Sequence, residues 1–239
     1  MQIKRKEEIG RIEKVASWFS TKKGFDCKIL KYTAKTLIPF CKGPRILELG
    51  CADGLMTEIL VGNFDEIVAV DGSESLIEMA KKNVKGNVTF HCALFEEFEP
   101  QEKFDTIIMT HVLEHVIEPV SLLKRTKNWL NEKGIILICV PNATSLHRKI
   151  GKAMGFINEL TEPSEADIKL AHRRVYSIDT LKKDIQKADL NIETWGGIFL
   201  KPRPSSVMEL WDDDVLDAFY EVGKELPIYC SELYAVCKL

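Results

Sequence analysis

Short apolar segments alternate with amphipathic ones between residues 45 and 140, and this alternation constrains the fold of the chain more than any other feature. The apolar segments predict strands at Arg45–Leu49, Glu66–Val70, Val88–Cys92, Phe104–Met109 and Ile135–Val140. The amphipathic segments predict helices at Gly54–Val61, Ser73–Val84 and Pro119–Leu130, with Gly134 ending the last of them. Strands that are apolar throughout are buried on both faces, and strands that alternate with helices form parallel units. The pattern therefore predicts an α/β fold with a doubly wound sheet.

We expect a single domain over residues 1–239, with N-terminal helices in 1–43 and the core in 44–140. The predicted elements outside the core are helices at 6–19, 26–38, Ser145–Phe156, Ser177–Asp189 and Ser206–Glu225, and strands at Asn191–Leu200 and Glu232–Lys238. An insertion at 141–176 follows the fifth strand, and the pattern assigns no secondary structure to its residues 157–175. Residues 177–239 complete the sheet. Because ligands of open α/β sheets bind at the carboxyl ends of strands, we expect this insertion to form a substrate lid.

Composition narrows the range of partners. The 239 residues carry a net charge of −3, whereas a nucleic-acid-binding surface is usually strongly basic, so we expect no nucleic-acid partner. The first residues run into Glu7 and Glu8 without an apolar stretch, and no apolar run approaches the ~20 residues that span a bilayer, so we expect neither a secretory signal nor a membrane partner. Seven cysteines form no C-x-x-C pair, which favours reduced core residues in a cytoplasmic protein. A small-molecule substrate fits these limits, and a homodimer is left open.

The loop after the first predicted strand has the features of a nucleotide-binding loop. Glu48 ends the strand, and Gly50-Cys51-Ala52-Asp53-Gly54 follows at once and opens a helix. Small residues let the backbone pass close to a ligand, and a helix N-terminus presents free N–H groups. Asp71 follows Glu48 by 23 residues, at the end of the second strand, where a carboxylate accepts hydrogen bonds from ribose hydroxyls.

The acids of this loop indicate which nucleotide it binds. Glu48 and Asp53 would repel a pyrophosphate, whereas a cofactor that carries an ammonium and a sulfonium would be attracted. The loop also lacks the lysine of a nucleoside-triphosphate P-loop. This favours S-adenosylmethionine (SAM) over a nicotinamide dinucleotide; the structural alternative is a tight turn without a ligand.

Together with three further motifs, the loop resembles the class I SAM-dependent methyltransferases, of the branch with quinone-type and other small-molecule O- and N-methyltransferases. The resemblance runs from about Arg45 to Pro141 and rests on Ile46–Gly54, Val70–Ser73, Phe104–Ile108 and Val112–Val116. It implies a Rossmann-like, seven-stranded, mostly parallel sheet with the last strand antiparallel. It also implies SAM as cofactor, with the methionine part on the Gly50 backbone and the ribose on Asp71.

The chain departs from the family pattern at two positions: Ala52 replaces a usual glycine, and Leu94 replaces a usual aspartate that binds the adenine amino group. We expect the adenine to rely on the backbone of Ala93–Phe95 and on apolar packing. The expected cofactor-binding residues are Glu48, Gly50, Cys51, Ala52, Asp53, Gly54, Asp71, Gly72, Ser73, Ala93, Leu94, Phe95 and Thr110.

Histidines follow the fourth strand, beside the expected sulfonium. Methyl transfer is an in-line displacement that depends mainly on orientation, and a hydroxyl nucleophile benefits from a base. We expect His111, then His115, and also His172, as catalytic candidates. No metal is assigned. The match of His111–His115 to a zinc-peptidase signature is interpreted as accidental because His111 ends a strand rather than lying on a helix. Resemblance to quinone methyltransferases, in which a cluster at this point is thought to bind a divalent ion, leaves a metal at His111, Glu114 and His115 open.

Next to His172, at the edge of the expected lid, are Arg173, Arg174 and Tyr176. We expect these residues to bind an anionic group of the substrate, such as a phosphate. The alternative is that they tether the lid to the sheet. His147, Arg148 and the loop Lys201–Pro204 are further candidates for the site. The first expectation for the acceptor is a hydroxyl of a sugar or nucleotide sugar in polysaccharide biosynthesis. A quinol, an amine, a carboxylate, a protein side chain, or SAM binding without turnover stay open.

Overall fold

The computed structural model describes residues 2–239, and the side chains from Arg5 onward. The seven strands are β1 Arg45–Leu49, β2 Glu66–Asp71, β3 Val88–Cys92, β4 Phe104–Thr110, β5 Leu130–Pro141, β6 Asn191–Ile198 and β7 Glu232–Lys238. They form one sheet in the order β3-β2-β1-β4-β5-β7-β6. β7 lies antiparallel to both β5 and β6, and the other pairs are parallel. The expected Rossmann-like sheet with an antiparallel last strand is confirmed.

Helices cover both faces of the sheet. They are α1 Gln2–Ala16, α2 Gly24–Leu37, α3 Leu55–Val61, α4 Glu74–Asn83, α5 Pro119–Trp129, α6 Leu146–Ala153, α7 Glu165–Lys169, α8 Ile178–Lys187, α9 Ser205–Met208 and α10 Asp213–Gly223, with short 3₁₀ turns at Ile38–Phe40 and Pro227–Tyr229. Alternate side chains of β5 show the two layers: Ile136 and Ile138 pack with α5 and α8, whereas Ile135 and Leu137 pack with α2, α3 and α10. A strand segment buried on both faces must be apolar at every position, which explains the unbroken apolar sequence of residues 135–140.

Most predicted boundaries are close to those observed, and two expectations are wrong. β5 begins at Leu130, so Gly134 lies inside the strand rather than ending the preceding helix. The predicted helix Ser206–Glu225 is two helices, α9 and α10, because Asp212 adopts an extended backbone between them. The predicted cap of Ser177 on α8 is confirmed: its side chain accepts a hydrogen bond from the Thr180 N–H.

The insertion carries α6, which is shorter than the predicted Ser145–Phe156, and α7, which lies in the segment that the sequence left unassigned. Ser164 and Asp167 form a capping box at the start of α7. Arg148 joins the two helices: its guanidinium pairs with Asp167 at 2.8 Å and donates to the Leu160 carbonyl at 3.0 Å. The insertion is therefore a packed unit over the sheet edge.

No helix among residues 2–239 is long and apolar enough to cross a bilayer. All seven cysteines are free thiols. Cys51, Cys139, Cys230 and Cys237 are buried, as a core role predicts, whereas Cys92 at the end of β3 is exposed.

Candidate active site

A cavity of about 470 Å³ opens at the carboxyl ends of β1, β2, β4 and β5. Residues at the strand ends, such as Glu48 of β1 and Pro141 of β5, form its floor. α1, α2 and the insertion form its walls. This is the place where an open α/β sheet binds its ligand, and the volume falls within the usual range of ligand pockets. The expected lid residues His147, Arg148 and His172 line the cavity, and so does Lys201.

The loop after β1 curls tightly around one end of this cavity. Gly50, Ala52 and Gly54 have φ angles of 80°, 47° and 92°, in the left-handed region that favours glycine. A Cβ at Gly50 would lie 2.8 Å from Val112 Cγ2, so this position tolerates no side chain. The Gly50 N–H donates to the Val70 carbonyl at 2.8 Å, which fixes the loop against β2.

Asp71 lines the cavity at the end of β2, and its carboxylate is held in place by backbone N–H groups. Ala52 donates to Oδ2 at 3.0 Å and Ser73 donates to Oδ1 at 2.9 Å. Burial raises the pKa of Asp71 above its ordinary value, although these hydrogen bonds oppose the shift. A carboxylate so fixed keeps free lone pairs for a ligand's hydroxyls.

Glu48 is a buried acid with one oxygen unused. Its Oε2 accepts a hydrogen bond from Thr57 at 2.6 Å, whereas Oε1 has no hydrogen-bond partner among the described residues. Burial, and to a smaller extent the nearby charge of Asp71, raise the pKa of Glu48 to about 7. A buried carboxyl of this kind is stabilised by a cation placed beside it. The residues present therefore fit SAM, which brings two positive charges.

The end of the cavity where we expect the adenine is lined by apolar side chains, in keeping with the apolar packing expected at Leu94. Leu94, Phe95 and Leu76 line it. A Cβ at Gly72 would lie 2.9 Å from Ile12 Cδ1 and 3.2 Å from Leu94 Cδ2, so the absence of a side chain keeps a narrow slot between α1 and the sheet edge. Thr110 lines the floor at the end of β4.

Four of the expected cofactor residues do not line the cavity: Asp53, Gly54, Ser73 and Ala93. Asp53 instead accepts hydrogen bonds from Ser20 Oγ at 2.6 Å and from the Thr21 N–H at 3.2 Å, so its charge anchors the linker between α1 and α2. Ser73 caps α4 by accepting from the Leu76 N–H. These residues shape the cofactor site from behind.

Sequence reasoning missed α1 as a cover over the cofactor end. Arg11, Ile12 and Val15 line the cavity from above. Arg11 donates to the carbonyls of Ala171 at 2.6 Å and His115 at 3.2 Å, which ties the helix to the insertion and to the loop after β4. The signal available was the spacing of Ile9, Ile12 and Ala16 on one helical face.

His111 lies between two buried carboxylates. Its backbone is in the left-handed region, with φ 55°. Nε2 lies 3.0 Å from Glu232 Oε1, and Nδ1 lies 3.2 Å from Glu114 Oε1 without hydrogen-bond alignment. Burial disfavours the charged ring, but the two carboxylates outweigh it and raise the pKa of His111 well above its ordinary value.

This geometry does not match the expectation that His111 is a base. A protonated imidazole has no lone pair, and both of its nitrogens face carboxylates. Glu232 was not predicted, although an acid at the start of an apolar strand was a visible signal. It lines the cavity, and its second oxygen accepts from Thr33 Oγ1 at 2.8 Å and from Cys139 Sγ at 3.2 Å.

His115 and His172 also line the cavity, with ring centroids 4.7 Å apart and planes at 81°. Burial lowers the pKa of His115 to about 4, so its ring is neutral at neutral pH. His172 Nδ1 lies 2.9 Å from Asp167 Oδ1.

Two groups among the described residues bring three metal-ligand atoms within 4.8 Å of one another: Glu114, His115 and His172, and His111, Cys139 and Glu232. Glu114 and His115 of the metal alternative thus form one group with His172, whereas His111 belongs to the other group, although its Nδ1 also lies 3.2 Å from Glu114 Oε1.

Arg173, Arg174 and Tyr176 do not line this cavity, and their polar groups bind protein atoms. Arg173 pairs with Glu8 at 2.5 Å and donates to the His115 carbonyl at 2.8 Å. Arg174 donates to three carbonyls in the loop after β4: Leu113 at 2.7 Å, Val116 at 2.5 Å and Ile117 at 3.0 Å. Tyr176 is buried and donates to Asp184 at 3.2 Å. These contacts correct the predicted phosphate grip and match the tethering alternative.

The sequence matches a profile of the methyltransferase-domain family over residues 23–194. Among curated proteins, the chain is 32% identical over 103 residues to a ubiquinone biosynthesis O-methyltransferase of Bradyrhizobium diazoefficiens, covering 42% of this chain and 41% of that protein. A ubiquinone biosynthesis O-methyltransferase of Glaesserella parasuis is 30% identical over 112 residues, or 43% and 48% of the two chains. The matched region therefore spans less than half the length of these relatives.

Solved structures share the fold. A SAM-dependent methyltransferase from Mesorhizobium loti superposes with a TM-score of 0.66 at 17% identity, over 90% of this chain and all of that one. The plantazolicin methyltransferase BamL, solved with a triazolic desmethylPZN analog and S-adenosylhomocysteine (SAH), superposes with a TM-score of 0.61 at 16% identity, over 99% of this chain and 97% of that one. With the profile match, the sheet order and the cavity at the strand ends, the chain belongs to the family of SAM-dependent methyltransferase domains.

Proposed function

We propose that this chain transfers the methyl group of SAM to a hydroxyl of a small molecule held in the cavity beyond His111. The observation that carries the proposal is the cavity itself. It joins a cofactor half, built on Glu48 and Asp71, to a second half that the His111–Glu232 pair and the insertion line. A site that transfers a group between two ligands needs both halves in one enclosed space.

Asp71 would hold the ribose, Glu48 the ammonium end, and Leu94 with Phe95 the adenine. Bound SAM supplies an electrophilic methyl group on a sulfonium. The protein's part is to place the acceptor oxygen in line with that methyl group and to exclude water, which α1 and the insertion accomplish by covering the cavity.

The acceptor hydroxyl must lose its proton as its oxygen forms the new bond to carbon and the carbon–sulfur bond breaks. We assign the proton to Glu232, which lines the cavity and whose Oε1 lies 3.0 Å from His111 Nε2. The protonated ring of His111 orients this carboxylate and balances its charge, so His111 acts as a positioning residue. The cluster of Glu114, His111 and Glu232 carries a net charge of −1 in this state and is able to take up one proton.

The curated relatives are named as O-methyltransferases, which supports a hydroxyl acceptor. The expectation of a sugar or nucleotide sugar stays a prediction. The residues on which it rested no longer support it, because Arg173 and Arg174 bind backbone carbonyls and do not line the cavity.

The test is SAH formation from SAM with panels of phenols, sugar nucleotides and amines. We expect SAH release to rise with hydroxyl acceptors and the product to be an ether by mass spectrometry. Glu232→Gln should lower kcat by about 10²–10⁴-fold and leave SAH affinity unchanged. Methylation confined to amines would refute the proposal, as would an unchanged kcat in Glu232→Gln. Tight SAM binding with no turnover of any acceptor would support the alternative of a SAM-binding protein.

A further inference from the structure

Lys201 places an ammonium group in the acceptor half of the cavity. It follows β6, lines the cavity and donates a hydrogen bond from Nζ to Ser205 Oγ at 2.8 Å. No carboxylate oxygen of the described residues lies within 4.0 Å of its Nζ. Lys201 is half-buried. An ammonium withdrawn from solvent without a counter-ion is costly, and proteins retain one mainly where it meets a ligand.

The other cations of the cavity wall already have partners. Arg11 pairs with Glu8 at 2.6 Å, and Arg148 pairs with Asp167 at 2.8 Å. Both arginines also donate to backbone carbonyls. Lys201 is therefore the cavity-lining Lys or Arg, within residues 5–239, that has no ion pair.

The acids nearest to Lys201 do not compensate its charge. Asp26 is exposed, so solvent screens its field. Glu232 lies 3.0 Å from His111 and Asp167 lies 2.8 Å from Arg148, so neither forms an ion pair with Lys201. Burial lowers the pKa of Lys201 despite the fields of all three acids.

A second group of the same region also lacks a partner. His147 lines the cavity, and its Nδ1 is buried without a hydrogen bond among the described residues. Burial first, and then the charges of Lys201 and Arg148, lower the pKa of His147 to about 3, so the ring is neutral. Lys201, Ser205 and His147 thus offer one positive charge and two neutral polar groups.

We propose that Lys201, with Ser205 and His147, binds a carboxylate carried by the methyl acceptor, so that the substrate is a hydroxy acid. The single unpaired charge matches a monoanion, because a doubly charged phosphate would leave one charge uncompensated in the cavity. This inference rests on the proposed function for its acceptor, whereas the anion site itself is testable without turnover.

The experiment is calorimetric titration of the full chain saturated with SAH, using 3-hydroxybenzoate and its uncharged match 3-hydroxybenzamide. We expect the acid to bind at least about tenfold more tightly than the amide. Lys201→Met should remove that preference: the affinity for the acid should fall by about 10–100-fold, and the affinity for the amide by less than about twofold. Lys201→Arg should keep the preference. Lys149→Met, at an exposed lysine of α6, is the matched control and should behave as wild type.

SAH affinity reports whether Lys201→Met is folded, and Lys201→Arg provides the second variant if it is not. Equal binding of acid and amide to wild type would overturn the inference. Survival of the preference in Lys201→Met would overturn it too, as would failure of the acid to bind at about 10 mM. Loss of the preference in Lys201→Met, together with no methylation of any acceptor, would refute the proposed function and leave the anion site standing.

Discussion

Glu48 shows how one residue links burial to cofactor choice. Its free oxygen and its pKa of about 7 mean that the carboxyl is partly protonated at neutral pH in the empty site. Burial is the largest cause, and the Thr57 hydrogen bond opposes it. A cation beside Glu48 favours the ionised form, so SAM and a proton compete for the same carboxylate.

We therefore expect SAM affinity to increase as pH rises through about 7, from roughly pH 6 to pH 8, where Glu48 ionises. Glu48→Gln should lower the affinity for SAM by about tenfold at the upper end of this range. The affinity of this variant should change little with pH. Thr57→Val removes the hydrogen bond that stabilises the carboxylate, so the midpoint should move to higher pH. Titration calorimetry across this range measures all three, and a flat wild-type profile would refute the role of Glu48.

The residues that sequence reasoning recovered are those whose partners lie close along the chain. Glu48, Gly50 and Asp71 belong to one strand–loop–helix–strand unit, so their spacing alone places them together. Glu232 and Lys201 come from the far end of the chain and reach the site because β7 inserts between β5 and β6. No local sequence pattern predicts that β7 lies between these two strands. The hydrogen bonds of Arg174 to carbonyls were not predictable either, because every residue has a backbone carbonyl and the sequence does not show which one a side chain will contact.

At the scale of elements, the central strands β1 and β4 and the 135–140 part of β5 were predictable because burial on both faces imposes apolar residues at nearly every position. The helices over the cavity were harder, since α1 and α7 owe their positions to contacts such as those of Arg11 and Arg148 rather than to their own patterns. α1 in particular lines the end of the cavity where we place the cofactor, so we expect a ligand to pass this helix when it enters or leaves.

Arg11→Met removes the two hydrogen bonds by which α1 holds the insertion and the loop after β4. We expect SAH to dissociate about tenfold faster, because opening of the helix becomes easier. The matched control on the same helix is Arg5→Met, whose side chain pairs only with the exposed Glu97 and should leave the rate unchanged. Stopped-flow displacement of SAH measures both rates; equal rates in the two variants would show that α1 does not gate the site.

Asp167 stabilises the insertion through Arg148, His172 and Ser164. Burial disfavours its charge, yet these partners outweigh it and hold the pKa of Asp167 below its ordinary value. A carboxyl with a depressed pKa contributes stability that is present above its unfolded pKa of about 3.9 and is lost as pH falls through the folded value.

Asp167→Asn should accordingly lower the free energy of unfolding by about 3–5 kcal/mol at neutral pH, because Arg148 is left buried without its partner. The difference from wild type should begin to shrink below about pH 4, where Asp167 of the unfolded chain takes up a proton, and should vanish only when pH falls below the depressed pKa of the folded carboxyl. Glu159→Gln, in the exposed pair with Lys152 of the same insertion, should change little. Urea titrations measure these energies; an Asp167→Asn protein as stable as wild type would show that the insertion is held by other contacts.

At the scale of the whole molecule, one seven-stranded sheet carries both halves of the site. The carboxyl ends of β1, β2, β4 and β5, the start of β7 and the segment after β6 all line the cavity. We propose that β1, β2 and β4 hold the cofactor, and that β5, β7 and the segment after β6 hold the acceptor. The curated relatives match over less than half of their length. A single domain, a cytoplasmic location and a homodimer stay predictions.

The most direct test of the account is a crystal structure of the chain with SAH. We predict the ribose hydroxyls on the Asp71 carboxylate, the adenine between Leu94 and Ile12, the amino group toward Glu48, and the sulfur facing His111 and the acceptor half. SAH bound outside this cavity, or bound in it without contact to Asp71 and Glu48, would contradict the central claim.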